Sequence, residues 1–251
     1  MRKPILFGLL GVLIFIGFIV ARAPAGPVWR LLAPQVTSAL PGINVNRVEG
    51  TVWRGQARVQ YANMLPSQVN WDLTLSGLVS GQLPFAATID GDSHHIDITG
   101  SLSPTQLHIE SLTGTLAGRY LSQYAQRYQI QLAGELNIIS LRLATDQRWP
   151  TEALGNLNWN GGAVSIPGSQ GRQNLQLPAL HGQLTMLDNQ LQLQIRDSIA
   201  GTGNELLTVS LLPTGWATVA IKTRMFKLAG IILPGNQGPD DMALTLEEKL
   251  F

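Results

Sequence analysis

The chain has no cysteine, so it can form no disulfide and do no thiolate chemistry, and its core must hold by packing alone. Charge is scarce: Asp, Glu, Lys and Arg make up 13% of 251 residues, against roughly a quarter in ordinary globular domains. All sixteen acids and fifteen of the seventeen bases follow residue 21, so that part is close to neutral. It carries no concentrated positive field, which excludes nucleic acid as a partner. Familiar active-site patterns are missing too. No G-x-S-x-G elbow occurs. The glycine turns at 161–162 and 201–203 lack a P-loop lysine or a dinucleotide-binding context. These absences point away from an enzyme: no catalytic residue, metal ligand set or cofactor is expected.

What is present begins with one apolar run. Residues 5–21, ILFGLLGVLIFIGFIVA, hold no charge; Arg2 and Lys3 precede the run and Arg22 follows it. As a helix, seventeen residues rise about 25 Å, close to the roughly 30 Å of a bilayer's hydrocarbon layer. The run predicts a single membrane-spanning anchor, with lipid contact through that helix. The leading bases place the N-terminus in the cytoplasm and the bulk of the chain on the far side. Ala21-Arg22-Ala23 has the small-x-small form of a signal cleavage site, but Pro24 follows directly and the run exceeds a usual signal core, which favours a retained anchor. Pro24 and Pro27 then break the helix. Residues 28–40 carry apolar side chains at helical spacing and predict a short helix, interrupted or begun near Pro34, with Leu31, Leu32 and Val36 inward and Trp29 near the membrane interface.

From Ile43 the apolar period changes to two. The clearest half-buried strands are 69–76 (Val69, Trp71, Leu73 and Leu75 on one face), 83–89, 96–102, 108–116, 130–136 and 190–196. A hairpin is expected over 206–222 around Pro213-Thr214-Gly215, short helices over 119–128 and 223–233, and a last strand at Met242, Leu244 and Leu246. The segment from Gly155 to Val164 echoes that from Gly50 to Val59, and an apolar-x-Gly-x-apolar cell recurs. Glycines inside strands mark bulges and close approaches. The expected fold is therefore mainly β: a strongly curved antiparallel sheet, read as two similar repeats, with a few short helices. The expected organisation is 1–23 cytoplasmic tip and transmembrane anchor, 24–42 juxtamembrane linker with a short helix, 43–146 first β-rich repeat and 147–251 second β-rich repeat.

Polar clusters weigh little beside this pattern. His94 and His95 stand between Asp92 and Asp97, but neighbouring strand residues face opposite ways, so a polar turn is the better reading than a metal site. His108 and His181 are isolated. Asp240-Asp241 and Glu247-Glu248 have no nucleophile or oxyanion partner beside them. Of the six tryptophans, Trp71 and Trp216 read as core residues. Trp53 and Trp159 hold equivalent places beside glycine turns, packed across the sheet or offered to a partner.

One stretch carries a resemblance. Val48-Glu49-Gly50-Thr51-Val52-Trp53-Arg54-Gly55, with Leu40-Pro41-Gly42 before it, the strand 69–76 after it and 154–157 later, resembles the type II secretion system protein N family. The resemblance spans the whole chain and makes Gly50, Trp53, Gly55, Gly155 and Trp159 a structural or interaction signature. It implies an inner-membrane protein with its bulk in the periplasm. Such a protein is a non-enzymatic accessory or structural component of the machine that exports folded proteins across the outer membrane. Its partners would be other components of that apparatus. The sheet also resembles the AsmA-type groove proteins, which implies lipid in a sheet groove as the alternative.

Overall fold

The computed structural model describes residues 15, 18–62, 64–146, 149–168, 171–197, 203–231 and 237–250. They divide into two compact units, 1–92 and 93–251.

In the first unit residues 18–21 are helical, and after the break at 22–24 helix α1 (Ala25–Ala39) runs unbroken through Pro34. A four-strand meander follows: β1 (Ile43–Gly50), β2 (Arg54–Tyr61), β3 (Ser67–Leu73) and β4 (Leu83–Gly91), each antiparallel to the next. The alternating apolar residues of β1, β2 and β3 face α1, which covers them with Val28, Trp29, Leu32 and Val36. Leu31, expected inward, is 78% exposed, and Trp29 lies on the sheet side instead. The third strand stops at Leu73, and Leu75 enters a 3-10 turn (Leu75–Ser80).

The second unit holds an open nine-strand antiparallel sheet. Its members are β5 (His94–Leu102), β6 (Gln106–Ala117), β8 (Glu135–Asp146), β9 (Pro150–Trp159), β12 (Leu180–Leu187), β13 (Gln190–Arg196), β14 (Glu205–Leu211), β15 (Trp216–Lys222) and β16 (Met242–Lys249), in that spatial order. After β6 comes helix α2 (Gly118–Tyr124). Strands β7 (Gln131–Leu132), β10 (Gly162–Gly168) and β11 (Gly171–Leu177) form a separate three-stranded sheet. The chain thus leaves the large sheet after β9 and returns as β12 beside the strand it left. Helix α3 (Thr223–Leu228) precedes the last strand. The expected strand 130–136 is split between β7 and β8, because Gly134 turns the chain at φ +79°.

Register makes one face of the large sheet apolar from end to end. Ile98, Leu112, Leu141, Gly155, Leu184, Leu193, Val209, Val219 and Leu246 are successive cross-strand partners. A parallel row runs from Ile96 to Leu244. The opposite face is polar and rich in amides, as in the row from Ser140 through Asn156, Gln183 and Gln194 to Thr245. Trp216 alternates with Ala217, Val219 and Ile221, so it falls on the polar face and is 44% exposed, against the expected core position. The large buried side chains gather at one end. There Trp159, Leu180 and Leu206 meet Val164 and Leu177 of the smaller sheet and Met225 and Leu228 of α3.

Two expectations are corrected here. Neither unit's sheet closes on itself or curls strongly. The strand glycines serve close packing between neighbours: Gly114 lets the backbone of His95 and Ile96 approach, and Gly182 lies under Ile195 and Leu157. No helix among the described residues is long and apolar enough to cross a membrane. Helix α1, with fifteen residues, rises only about 22 Å and carries Pro34, Gln35, Thr37 and Ser38. The expected membrane anchor, the single-pass inner-membrane placement and the lipid contact through such a helix are withdrawn on that finding. Most of the 5–21 run lies outside the described residues.

Candidate functional site

The signature 48–55 is the clasp of the first unit. Gly50 ends β1 at φ +89°, a left-handed conformation that suits glycine. A Cβ there would meet Arg54 O at 2.5 Å and Gly55 Cα at 2.7 Å. The turn is closed by the Thr51 N–H donating to Arg54 O (2.8 Å) and the Arg54 N–H donating to Thr51 Oγ1 (3.0 Å). The arm just before α1 lies along this turn. Val52 N–H donates to Ala23 O (2.9 Å), Pro24 bridges to Thr51, and Trp53 Nε1–H donates to Val20 O (2.7 Å). From the next strand Trp71 Nε1–H donates to Val52 O (3.0 Å). Gly55 is the cross-strand partner of Trp71, and its missing side chain is the space the indole occupies. The turn's polar groups are thus spent on holding the arm and β3 together, as partly buried backbone requires.

Around the clasp the chemistry divides by face. Beneath α1 lies a cavity of about 290 Å³, lined by Ala25, Trp29, Val45, Val59, Trp71 and their apolar neighbours, with no titratable side chain. On the outer face Arg54 pairs with Asp72, with Nε at 2.8 Å. Beside them Gln68 Nε2–H donates to Gln56 Oε1 (3.1 Å), and Gln56 Nε2–H donates to Glu49 Oε2 (2.8 Å). The Arg54–Asp72 pair is exposed, so it orients more than it stabilises. Trp53→Phe keeps the ring and deletes the N–H. We expect a loss of about 1 kcal/mol, read as faster hydrogen exchange at the Val52 amide and earlier proteolysis near Arg22.

Gly155 and Trp159 lie together on β9 of the second unit. Trp159 is 9% exposed in the main apolar cluster, and its Nε1–H donates to Ala133 O (3.1 Å). Gly155 sits mid-strand, where a Cβ would meet Leu184 and Ser140 at 3.3–3.4 Å. The signature therefore falls into two groups: Gly50, Trp53 and Gly55 in one clasp, Gly155 and Trp159 on one strand.

His94, His95 and several of the acids have partners within the fold. His94 is buried with its ring 4.1 Å from that of Tyr120, while His95 Nε2 lies 2.9 Å from Asp97. Burial, then the hydrogen bond and charge interaction with Tyr124, push the Tyr120 phenol well above its usual range. Arg224 Nη2 reaches both oxygens of Asp240 (3.0 Å), and Tyr128 Oη–H donates to Glu248 (2.7 Å). Among the described residues no three His, Asp or Glu side chains gather to hold a metal ion. Sequence reasoning missed the cavity and the Arg54–Asp72 pair. The alternation of Val45, Val59 and Val69 signalled the first; the second joins residues eighteen apart and becomes visible only through strand register.

Clasps, ladders and an apolar cavity describe a β-sheet protein whose polar and apolar groups are spent on holding its own shape. The family model for type II secretion system (T2SS), protein N, matches residues 41–247. The chain belongs to that family. It is 26% identical over 263 residues to the type II secretion system protein N of Aeromonas hydrophila, covering 96% of this chain and 90% of that protein. To the protein of the same name from Vibrio cholerae serotype O1 it is 28% identical over 187 residues, 66% of each. No solved structure matches. Membership gives a general, non-catalytic accessory role in type II secretion, exercised with other components of the apparatus.

Proposed function

We propose that this chain is a docking subunit of the type II secretion apparatus, holding another component in place while folded proteins are exported across the outer membrane. The observation that carries the reading is the family match through residues 41–247, which contains the whole clasp. Within the clasp, Trp53 is half-buried and Arg54 is 79% exposed, so an aromatic edge and a cation stand together at the surface. That combination is common where a partner docks. Gly50 and Gly55 maintain the turn that presents it, while Gly155 and Trp159 hold the packing of the second unit.

The test is a photo-crosslinking residue placed at Arg54 in cells, with Gln173 on β11 as the control. The expected result is an adduct with another secretion component from Arg54 and none from Gln173. Normal protein levels with no such adduct from Arg54 would refute the reading.

A lipid-binding role is the second reading. The apolar row from Ile98 to Leu246, half-buried along most of its length, supports it, since acyl chains need no hydrogen-bond partner there. Mass spectrometry of the purified full chain is expected to find bound lipid if that reading holds. Lipid-free protein of full stability would refute it.

A further inference from the structure

Helix α2 and the 3-10 turn that continues it (Ala125–Tyr128) lie against β7 of the smaller sheet. Arg119, Ser122 and Gln123 stand at i, i+3 and i+4, which places them on one helix face, and Gln126 follows one turn on. A helix face turned toward a sheet is ordinarily apolar. This one is polar, and it walls a cleft of about 610 Å³. Gln129, Ile130, Gln131 and, from β11, Arg172 complete the lining. The size suits a small-molecule site. Its charge has one sign: Arg119 and Arg172 line it, and no Asp or Glu among the described residues does. Arg54 and Arg224 each pair with an aspartate, but Arg172 has no acidic partner among the described residues. Neutral acceptors fix its guanidinium instead. Nε–H donates to Ser165 Oγ (3.1 Å) and Nη2–H donates to Gln129 O (2.9 Å), which leaves Nη1 uncommitted. The amides of the cleft are uncommitted too. Gln56 and Gln68 are bonded to their neighbours, whereas the side-chain carboxamides of Gln126, Gln129 and Gln131 make no hydrogen bond among the described residues.

We infer that this cleft binds a small hydroxylated anion, a sugar acid or a sugar phosphate, with its acid group on the Arg172 guanidinium. A guanidinium held in plane with N–H groups to spare matches the oxygens of a carboxylate or a phosphate. A carboxamide both donates and accepts, and so does a hydroxyl. Three uncommitted carboxamides around one acid-binding group therefore fit a polyol better than a bare ion. Ile130 is the one apolar side chain of the lining, so an acyl chain or an aromatic ring finds no anchor there. The site is independent of the clasp and of the docking role.

The test is calorimetric titration of the full-length chain with glucuronate, a glucose monophosphate, glucose and inorganic phosphate. Saturable binding of glucuronate or the glucose monophosphate is expected, and the tighter of the two identifies the acid group. Glucose lacks the charge and inorganic phosphate lacks the carbon-borne hydroxyls, so each is expected to bind at least tenfold more weakly. Arg172→Gln is expected to weaken binding of the preferred acid at least tenfold. Gln126→Glu changes an exposed side chain and sets a carboxylate in the cleft. It is expected to weaken binding as much, with a wild-type circular dichroism spectrum. Arg30→Gln on α1 removes a cation elsewhere and is expected to bind as the wild type does. No saturable binding of either acid at millimolar concentration would overturn the inference. So would glucose or inorganic phosphate binding as tightly as the acids, or a folded Gln126→Glu variant binding them undiminished.

Discussion

Trp159→Ala is expected to lower the stability of the unit spanning residues 93–251 by about 3–5 kcal/mol. The indole is nearly buried, packs with Leu180, Val164, Leu177 and the fully buried Leu206, and ties β9 to the Ala133 carbonyl. Removing it leaves a cavity and an unpaired carbonyl together. The effect is large because the unit's big buried side chains gather at this one end, while the residues of its apolar face are mostly half-buried. Urea unfolding followed by circular dichroism checks it: the midpoint should fall with the slope unchanged. Trp159→Phe, which keeps most of the packing, should cost about 1–2 kcal/mol. A midpoint shift for Trp159→Ala worth less than about 1 kcal/mol would show that the cluster does not hold the unit together.

Gly55→Ala is expected to destabilise the first unit by about 2–4 kcal/mol, a large cost for one methyl group. The cause is space. An added Cβ would strike the carbonyl oxygen of Glu49 and come within 2.5 Å of the Trp71 ring. Strand backbone cannot retreat from that carbonyl without breaking the β1–β2 ladder. Trp71→Leu should relieve only the ring's share, so the double variant stays less stable than Trp71→Leu alone. Gly155→Ala is the matching control: its nearest contacts are 3.3–3.5 Å, so it should cost less than about 1 kcal/mol. Equal effects at the two glycines would contradict the geometry of the clasp.

Most strands were legible because each is written in a local alternation. Residues 190–196 alternate Gln with Leu or Ile and form β13 over those residues. The helix expected over 119–128 is α2 only to Tyr124, and Ala125–Tyr128 continue it as a 3-10 turn. Alternation fails where two faces carry similar residues. Trp216 looks like a core residue until its neighbours Val219 and Ile221 are placed, and then it must face the other way. The proline rule failed at Pro34, where α1 continues because its apolar side is fixed on the sheet. The excursion through β10 and β11 was hidden, because it depends on β12 pairing with a strand laid down some twenty residues earlier. Glycine and tryptophan stood out at 50–55, but their reason did not. Gly55 is small because of Trp71, and Trp53 is fixed by Val20, each partner distant in the chain. The echo between Trp53 and Trp159 likewise hid a difference in environment, one half-buried at a turn and the other in the core.

The decisive measurement for the accessory role is export itself. In cells from which this chain has been deleted, folded type II substrates should accumulate inside and fall several-fold outside, with restoration on return of the wild-type chain. Export at the wild-type level in the deleted strain, with the rest of the apparatus at normal abundance, would contradict it.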